Sequence, residues 1–375
     1  MKIRAAVLNR IGAVAPYAQS KPLSIESVEL DPPGAGEVLV RMAAAGLCHS
    51  DLSVINGDRP RPMPMVLGHE AAGVVEETGP GIGDLAPGDH VVMVFVPSCG
   101  HCLPCQEGRP ALCEPGAAAN SKGELLSGAR RLHRGGERLN HHMGVSGFAE
   151  YAVVSRRSLI KVDPALPLAE AALFGCAVLT GVGAVVNTAG VRPGQSVAVI
   201  GLGGVGLNSL LGAQLAGARD IVAIDVSDDK LALARQLGAT AAFNARDPEC
   251  VAKVREHTKG GVDAAIEMAG SIPALETAYK VTRRGGQTVT AGLPNPKDTL
   301  AISPVNLVAE ERTLKGSYIG SCVPLRDLPR YIALYRQGRL PIDRLMSERL
   351  KLEEINQGFD RLAEGKTVRQ VVLFG

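Results

Sequence analysis

Four cysteines fall within fifteen residues, Cys99, Cys102, Cys105 and Cys113, in a C-x2-C-x2-C-x7-C array. Four thiolates on so short a loop can close a tetrahedral shell around Zn2+ and hold together a lobe too small to build a hydrophobic core. A filled shell leaves no open coordination position, so the role of this site is structural. An iron–sulfur cluster is the main rival, because C-x2-C-x2-C also opens ferredoxin runs. There the fourth cysteine follows after three residues and precedes proline, whereas here seven residues intervene and Glu114 follows. A disulfide framework is the remaining alternative, but crowded cysteines in a long chain without a secretory leader point to metal.

A second chemical signature is the run Gly201-Leu202-Gly203-Gly204-Val205-Gly206. It follows an apolar strand ending at Ile200 and opens an expected helix over 205–216. Gly201 permits a tight turn, Gly203 lets the backbone approach a pyrophosphate, and Gly206 allows close packing of helix on strand. The helix N-terminus then presents free N–H groups to the anion. Asp225 closes the next strand, nineteen residues beyond Gly206. A carboxylate there accepts hydrogen bonds from a ribose diol and repels a 2′-phosphate, so the expected cofactor is NAD, not NADP. Lys230 could add a contact to the ribose.

The other cysteines are Cys48, Cys176, Cys250 and Cys322. Cys48 lies in Gly46-Leu47-Cys48-His49-Ser50-Asp51, His69 in Gly68-His69-Glu70, and Cys176 in Gly175-Cys176-Ala177. A Cys2His set leaves one place open for water or substrate, which is a catalytic pattern. Cys250 and Cys322 read as ordinary thiols.

These sites need elements to carry them. The chain has 375 residues, which predicts two domains. Its 40 basic and 38 acidic residues give a formal net charge of +2, with no field to gather nucleic acid or an anionic membrane. No run of eighteen apolar residues and no cleavable leader occurs, so the expectation is a soluble, cytoplasmic protein. Up to about residue 160, short β-type runs at 37–42, 71–76 and 90–95 are punctuated by Gly and Pro, which predicts a β-rich domain. The polar, locally basic stretch 117–142 reads as a solvated excursion. From about 164 the texture becomes α/β. A helical stretch is expected over 168–186, strands over 195–200, 220–225, 262–266, 287–291 and 314–319, and a helix opened by Ser227 and stopped by Gly238. That alternation predicts a doubly wound parallel sheet.

Taken in order, these motifs resemble the zinc-dependent medium-chain alcohol dehydrogenases over nearly the whole chain, and the length and the 117–142 stretch are similar to the longer branch that includes liver-type and glutathione-dependent formaldehyde dehydrogenases. The resemblance implies a GroES-like catalytic domain over 1–178 and 320–375, with the structural zinc lobe at about 97–115, and a Rossmann NAD-binding domain over 179–319. It also implies two Zn2+ per subunit and an active site in the cleft between domains. Carried over, Cys48, His69 and Cys176 are the catalytic zinc ligands, with Glu70 behind as an occasional or exchange ligand. The Cys2His pattern is itself best known from this family, so that assignment leans on the resemblance. Asp51 resembles the carboxylate that holds a ligand imidazole, and Ser50 the hydroxyl that takes the substrate proton. His49 and Arg369 match positions that contact the cofactor pyrophosphate, and Phe95 one that lines the substrate pocket.

Two departures stand out. Ser53 occupies the place where many relatives carry a histidine that ends the proton relay. At the two positions that read glutathione in the formaldehyde branch stand Arg59, with Asp58 adjacent, and Ala117. The expected activity is therefore hydride transfer between NAD and a primary or aromatic alcohol or its aldehyde. The alternative is S-(hydroxymethyl)glutathione dehydrogenase, and a non-catalytic NAD- or zinc-binding protein is more remote. A homodimer is expected, with a tetramer as the alternative, through the strand at 314–319.

Overall fold

The computed structural model describes residues 1–375, which divide into two compact units. The first comprises Met1–Cys176, Val323–Arg330 and Ile342–Gly375, and the second Ala177–Cys322 and Tyr331–Pro341. Residues 177–178, 320–322 and 331–341 thus lie with the second unit, a correction to the expectation that 1–178 and all of 320–375 belong to the first.

In the first unit five strands close a barrel, in the order Lys2–Leu8, Leu23–Leu30, Leu132–Arg134, Glu137–His141 and Met65–Val66. Its interior is filled by Ile3, Ala5, Val7, Val28, Leu30, Leu132 and Leu139, the first three being alternate residues on one face of their strand. Two of these strands come from the stretch expected to be a solvated excursion. That reading is wrong: 114–122 is a helix, 132–141 a hairpin, and Leu125, Leu132, Leu139, His141 and His142 are buried. Its basic residues are surface partners of carboxylates, Arg130 of Glu124, Arg131 of Glu37 and Arg134 of Glu26 and Glu137. The charges advertised exposure while the apolar residues between them built the barrel.

A second, seven-stranded sheet runs Leu159–Val162, His90–Met93, Ala71–Thr78, Glu37–Gly46, Arg369–Leu373 and Met346–Leu350, with Tyr151–Ser155 also paired to Glu37–Gly46. Its register decides the position of the site. Ala45 pairs with Ala71, Ala71 with Met93, and Gly46 with Val371. Extending these antiparallel ladders by two residues places Cys48 opposite Arg369 and His69 opposite Phe95, all at one end of the sheet.

The second unit is a six-stranded parallel sheet in the order Ala241–Asn244, Asp220–Asp225, Ser196–Ile200, Val262–Glu267, Thr282–Thr290 and Thr313–Gly316. In chain order this is 3-2-1-4-5-6, the doubly wound dinucleotide-binding arrangement. The last strand stops at Gly316, short of the expected 319. The expected helix over 168–186 is broken. Helical turns cover Leu168–Ala172 and Leu173–Gly175, Cys176 is non-helical at φ −136° and ψ −68°, and Ala177–Gly183 resumes. No single helix is long and apolar enough to cross a membrane.

Candidate active site and metal centres

The four lobe sulfurs lie within 4.8 Å of one another, and Cys102 Sγ and Cys113 Sγ are 4.0 Å apart. That is near the ~3.8 Å edge of a tetrahedron with Zn–S of about 2.3 Å, and all eight cysteines are unbridged. The disulfide reading therefore falls, and so close a set suits one ion. Backbone N–H groups prepare the sulfurs for it. Cys113 Sγ accepts from Cys99 N and Gly116 N, and Cys99 Sγ from His101 N and Cys102 N. Burial pushes the Cys99 thiol up, but the N–H groups of His101 and Cys102 outweigh it and bring it to about 7. Burial and the neighbouring thiols push Cys105 to about 12. Binding a cation would release that proton.

Cys48, His69 and Cys176 also converge, with ligand atoms within 4.8 Å of one another and all three residues buried. Cys48 lies two residues past the strand Glu37–Gly46 and caps the helix His49–Ile55. Gly68, at φ +91°, turns the chain into His69, and a Cβ there would meet Phe148 N at 2.6 Å. Gly175 lets the Cys176 turn press on the sheet, since its Cβ would lie 2.1 Å from Met93 O. His69 Nδ1 is 3.1 Å from Asp51 Oδ2, while His69 Nε2 is buried without a hydrogen-bond partner. A buried, unpartnered nitrogen beside two thiols is what a metal ligand requires. The residues fit Zn2+, with a fourth place left for a small ligand.

The electrostatics are those of a cation site. The adjacent Cys176 thiol holds Cys48 well below the ordinary thiol range, helped by His69 and Arg369 against the effect of burial. The same contact and burial push Cys176 up. Burial disfavours charge on His69, yet Asp51 and Cys48 draw its pKa well above the ordinary imidazole value. Burial would likewise raise Asp51, but His69 and His142 outweigh it and hold the carboxylate well below its usual range.

The other expected site residues lie around this cluster. Glu70 is not in the ligand cluster; its Oε2 lies 3.0 Å from Arg369 Nη2. Arg369 is buried, and its Nη1 donates to Leu47 O at 3.1 Å. His49 is exposed and Ser50 half-buried in the first turn after Cys48, and Ser53 Oγ donates to His49 O at 2.9 Å. Phe95 packs edge-on against His69, with ring centroids 5.2 Å apart.

Two residues escaped sequence reasoning. Asn120 is buried on the helix that Cys113 caps, and its Nδ2 donates to Phe95 O at 2.8 Å. His142 Nδ1 stands 3.1 Å from Asp51 Oδ1. The only available signal was the His141-His142 pair amid apolar residues, and the surrounding arginines masked it. His141 is a different case. Its Nε2 accepts the Arg131 N–H at 3.0 Å, and burial with nearby Arg130, Arg131 and His133 pushes it down to about 3, a neutral barrel residue.

In the second unit the glycine loop is built as its spacing implies. Gly201 has φ +88°, and a Cβ there would meet Ala269 N at 2.7 Å. A Cβ on Gly206 would fall 1.8 Å from Gly201 O, while one on Gly203 would meet nothing within 4 Å. Gly203 therefore faces open space at the N-terminus of the helix Gly204–Leu215, the place an anion would use. Asp225 Oδ2 accepts Leu202 N–H at 2.6 Å and Oδ1 accepts Ser227 N–H at 3.0 Å, tying the carboxylate to the loop. Ser227 precedes the helix Asp228–Gln236 without a side-chain capping bond. Lys230 lies in the first turn of that helix.

Comparison with known proteins agrees with this geometry. The alcohol dehydrogenase GroES-like domain model matches residues 34–164 and the zinc-binding dehydrogenase model residues 204–337. The chain is 42% identical to an NDMA-dependent alcohol dehydrogenase of Amycolatopsis methanolica, over 100% of this chain and 99% of that protein. It superposes on benzyl alcohol dehydrogenase from Acinetobacter calcoaceticus with a TM-score of 0.93 at 33% identity, covering 100% of both chains. An alcohol dehydrogenase zinc-binding domain protein from Burkholderia ambifaria gives a TM-score of 0.93 at 38% identity, over 100% of this chain and 99% of that one. With both family models matched and full-length relatives at this identity, the chain belongs to the zinc-binding alcohol dehydrogenase family.

Proposed function

We propose that the protein is an NAD-dependent zinc alcohol dehydrogenase acting on primary or aromatic alcohols and their aldehydes. The observation that carries this reading is the buried Cys48, His69 and Cys176 cluster, in which His69 Nε2 has no partner in the protein. Those three residues would hold a catalytic Zn2+ and the lobe cysteines a structural one. When bound, the catalytic ion supplies the Lewis acidity that makes a hydroxyl acidic near neutral pH, and the nicotinamide supplies a hydride acceptor.

This chain's own residues do the rest. Asp51 accepts only, so the proton of His69 sits on Nδ1 and the Nε2 lone pair is kept for the metal. Ser50 Oγ, both donor and acceptor, takes the substrate proton and passes it on. With Ser53 at the usual histidine position, solvent provides the exit. Phe95 offers an apolar wall beside His69, which favours aromatic or extended alcohols. The open face at Gly203 supports a dinucleotide, and the Asp225 carboxylate supports NAD over NADP. The unpaired edge of Thr313–Gly316 supports a homodimer.

The test is a screen of alcohols with NAD, NADP or NDMA, run beside metal analysis and sizing by light scattering. Two zinc ions per chain and turnover of benzyl-type alcohols with NAD are expected. A lower Km for NADP defeats the cofactor assignment, and turnover only with NDMA defeats exchange of free NAD. Strict dependence of formaldehyde oxidation on glutathione would shift the reading to S-(hydroxymethyl)glutathione dehydrogenase.

A further inference from the structure

The carboxylate that orients His69 is shared with a second imidazole. Asp51 is fully buried. Its Oδ1 accepts Gly68 N–H at 3.0 Å and lies 3.1 Å from His142 Nδ1, while Oδ2 lies 3.1 Å from His69 Nδ1. The two rings stand edge to face with centroids 5.6 Å apart. Because a carboxylate only accepts, each ring turns an Nδ1 proton toward Asp51. His69 belongs to the metal cluster. His142 is outside the Cys48, His69 and Cys176 set; it converges instead with Asp51 and His69, their ligand atoms within 4.8 Å of one another and all three buried. Both ring contacts have ion-pair length without full hydrogen-bond alignment, and such contacts commonly tighten when a site is loaded.

We propose that His142 is a positioning residue for the catalytic metal, anchoring Asp51 so that the carboxylate keeps Oδ2 aimed at His69. With Gly68 N–H and His142 both on Oδ1, rotation of the carboxylate away from His69 breaks two contacts; without His142 it breaks one. A buried carboxylate that loses a donor also seeks another, and the nearest freedom it has is to turn. The inference rests on the reading of Cys48, His69 and Cys176 as metal ligands. It concerns how firmly His69 is held, and so it is visible in metal binding itself.

The experiment compares wild type, His142→Phe, His142→Asn and His142→Gln. Zinc affinity is measured by competition with a chromophoric chelator, and ligand geometry by the visible absorption of the cobalt-substituted protein. Asparagine places an amide near the former Nδ1, whereas glutamine reaches the Nε2 position and leaves Nδ1 empty. Phenylalanine keeps the ring and removes the donor. Expected is a loss of about 10- to 100-fold in affinity at the catalytic site for Phe and Gln, with moved cobalt bands. Asn should recover most of the affinity and the wild-type bands. Affinity and bands unchanged in Phe, or Asn as weak as Gln, overturn the proposal. If Phe does not fold, the Asn and Gln pair decides alone. Wild type holding only one metal, at the lobe, overturns the underlying ligand reading instead and is recognised by metal content before any variant is made.

Discussion

Two neighbouring glycines should respond oppositely to the same added methyl group. At Gly203 the backbone has φ −72° and ψ −173°, open to alanine, and the new Cβ meets nothing within 4 Å. Alanine gains about 0.4–1 kcal/mol by restricting the unfolded chain and loses about 0.5–1 kcal/mol as a poorer residue at a helix N-cap. The two offset, so Gly203→Ala should unfold like wild type. At Gly206 the Cβ would stand 1.8 Å from Gly201 O, and the helix must move off the loop that precedes it. Overpacking of that kind costs about 1–3 kcal/mol, a fall in Tm of roughly 4–8 °C for 2 kcal/mol. Cofactor binding should divide them differently. A methyl at Gly203 stands between the loop and a pyrophosphate, and losing one charge-assisted hydrogen bond there, about 2 kcal/mol, raises the Kd for NAD about 30-fold. The assay is a thermal melt of the cofactor-free protein beside titration calorimetry with NAD. If Gly203→Ala binds NAD as wild type does, the dinucleotide is not held at this loop. If Gly206→Ala melts with wild type, the packing argument is wrong.

Ser50→Ala should lose most turnover while zinc content and NAD affinity stay as in wild type; a near-normal kcat refutes the relay. Asn120→Ala removes the bond to the Phe95 carbonyl, costing about 1–3 kcal/mol in a melt and raising KM for aromatic alcohols more than it lowers kcat; an unchanged KM would show that Phe95 needs no such anchor. Asp263 gives a pH test away from the metals. Burial alone would raise it, but Ser196 N–H, Arg283 and the Ser196 hydroxyl hold it below the usual carboxylate range. Its folded pKa is therefore depressed, and its stabilisation is present above the unfolded value of about 3.9 and lost as pH falls through the folded one. Asp263→Asn should melt lower than wild type at pH 7, with the gap narrowing below about pH 4; a gap that is constant with pH contradicts this.

The convergence of Cys99, Cys102, Cys105 and Cys113 was readable because these residues lie so close in the chain that no distant pairing is needed to assemble them. The run from Gly201 to Gly206 and the carboxylate of Asp225 were readable for the same reason, since a single strand-turn-helix-strand unit sets their geometry locally. The set Cys48, His69 and Cys176 was legible only through family resemblance, and Asn120 and His142 were missed. Those residues meet because the pairings Ala45 with Ala71, Ala71 with Met93 and Gly46 with Val371 bring far-apart segments to one sheet end. A one-residue slip in any of these ladders would turn the ligands to the opposite face. Residue types alone thus determined which chemistry this protein can do; which imidazole, carboxylate and guanidinium serve it was decided by strand register, because register depends on packing between segments that composition and spacing do not encode.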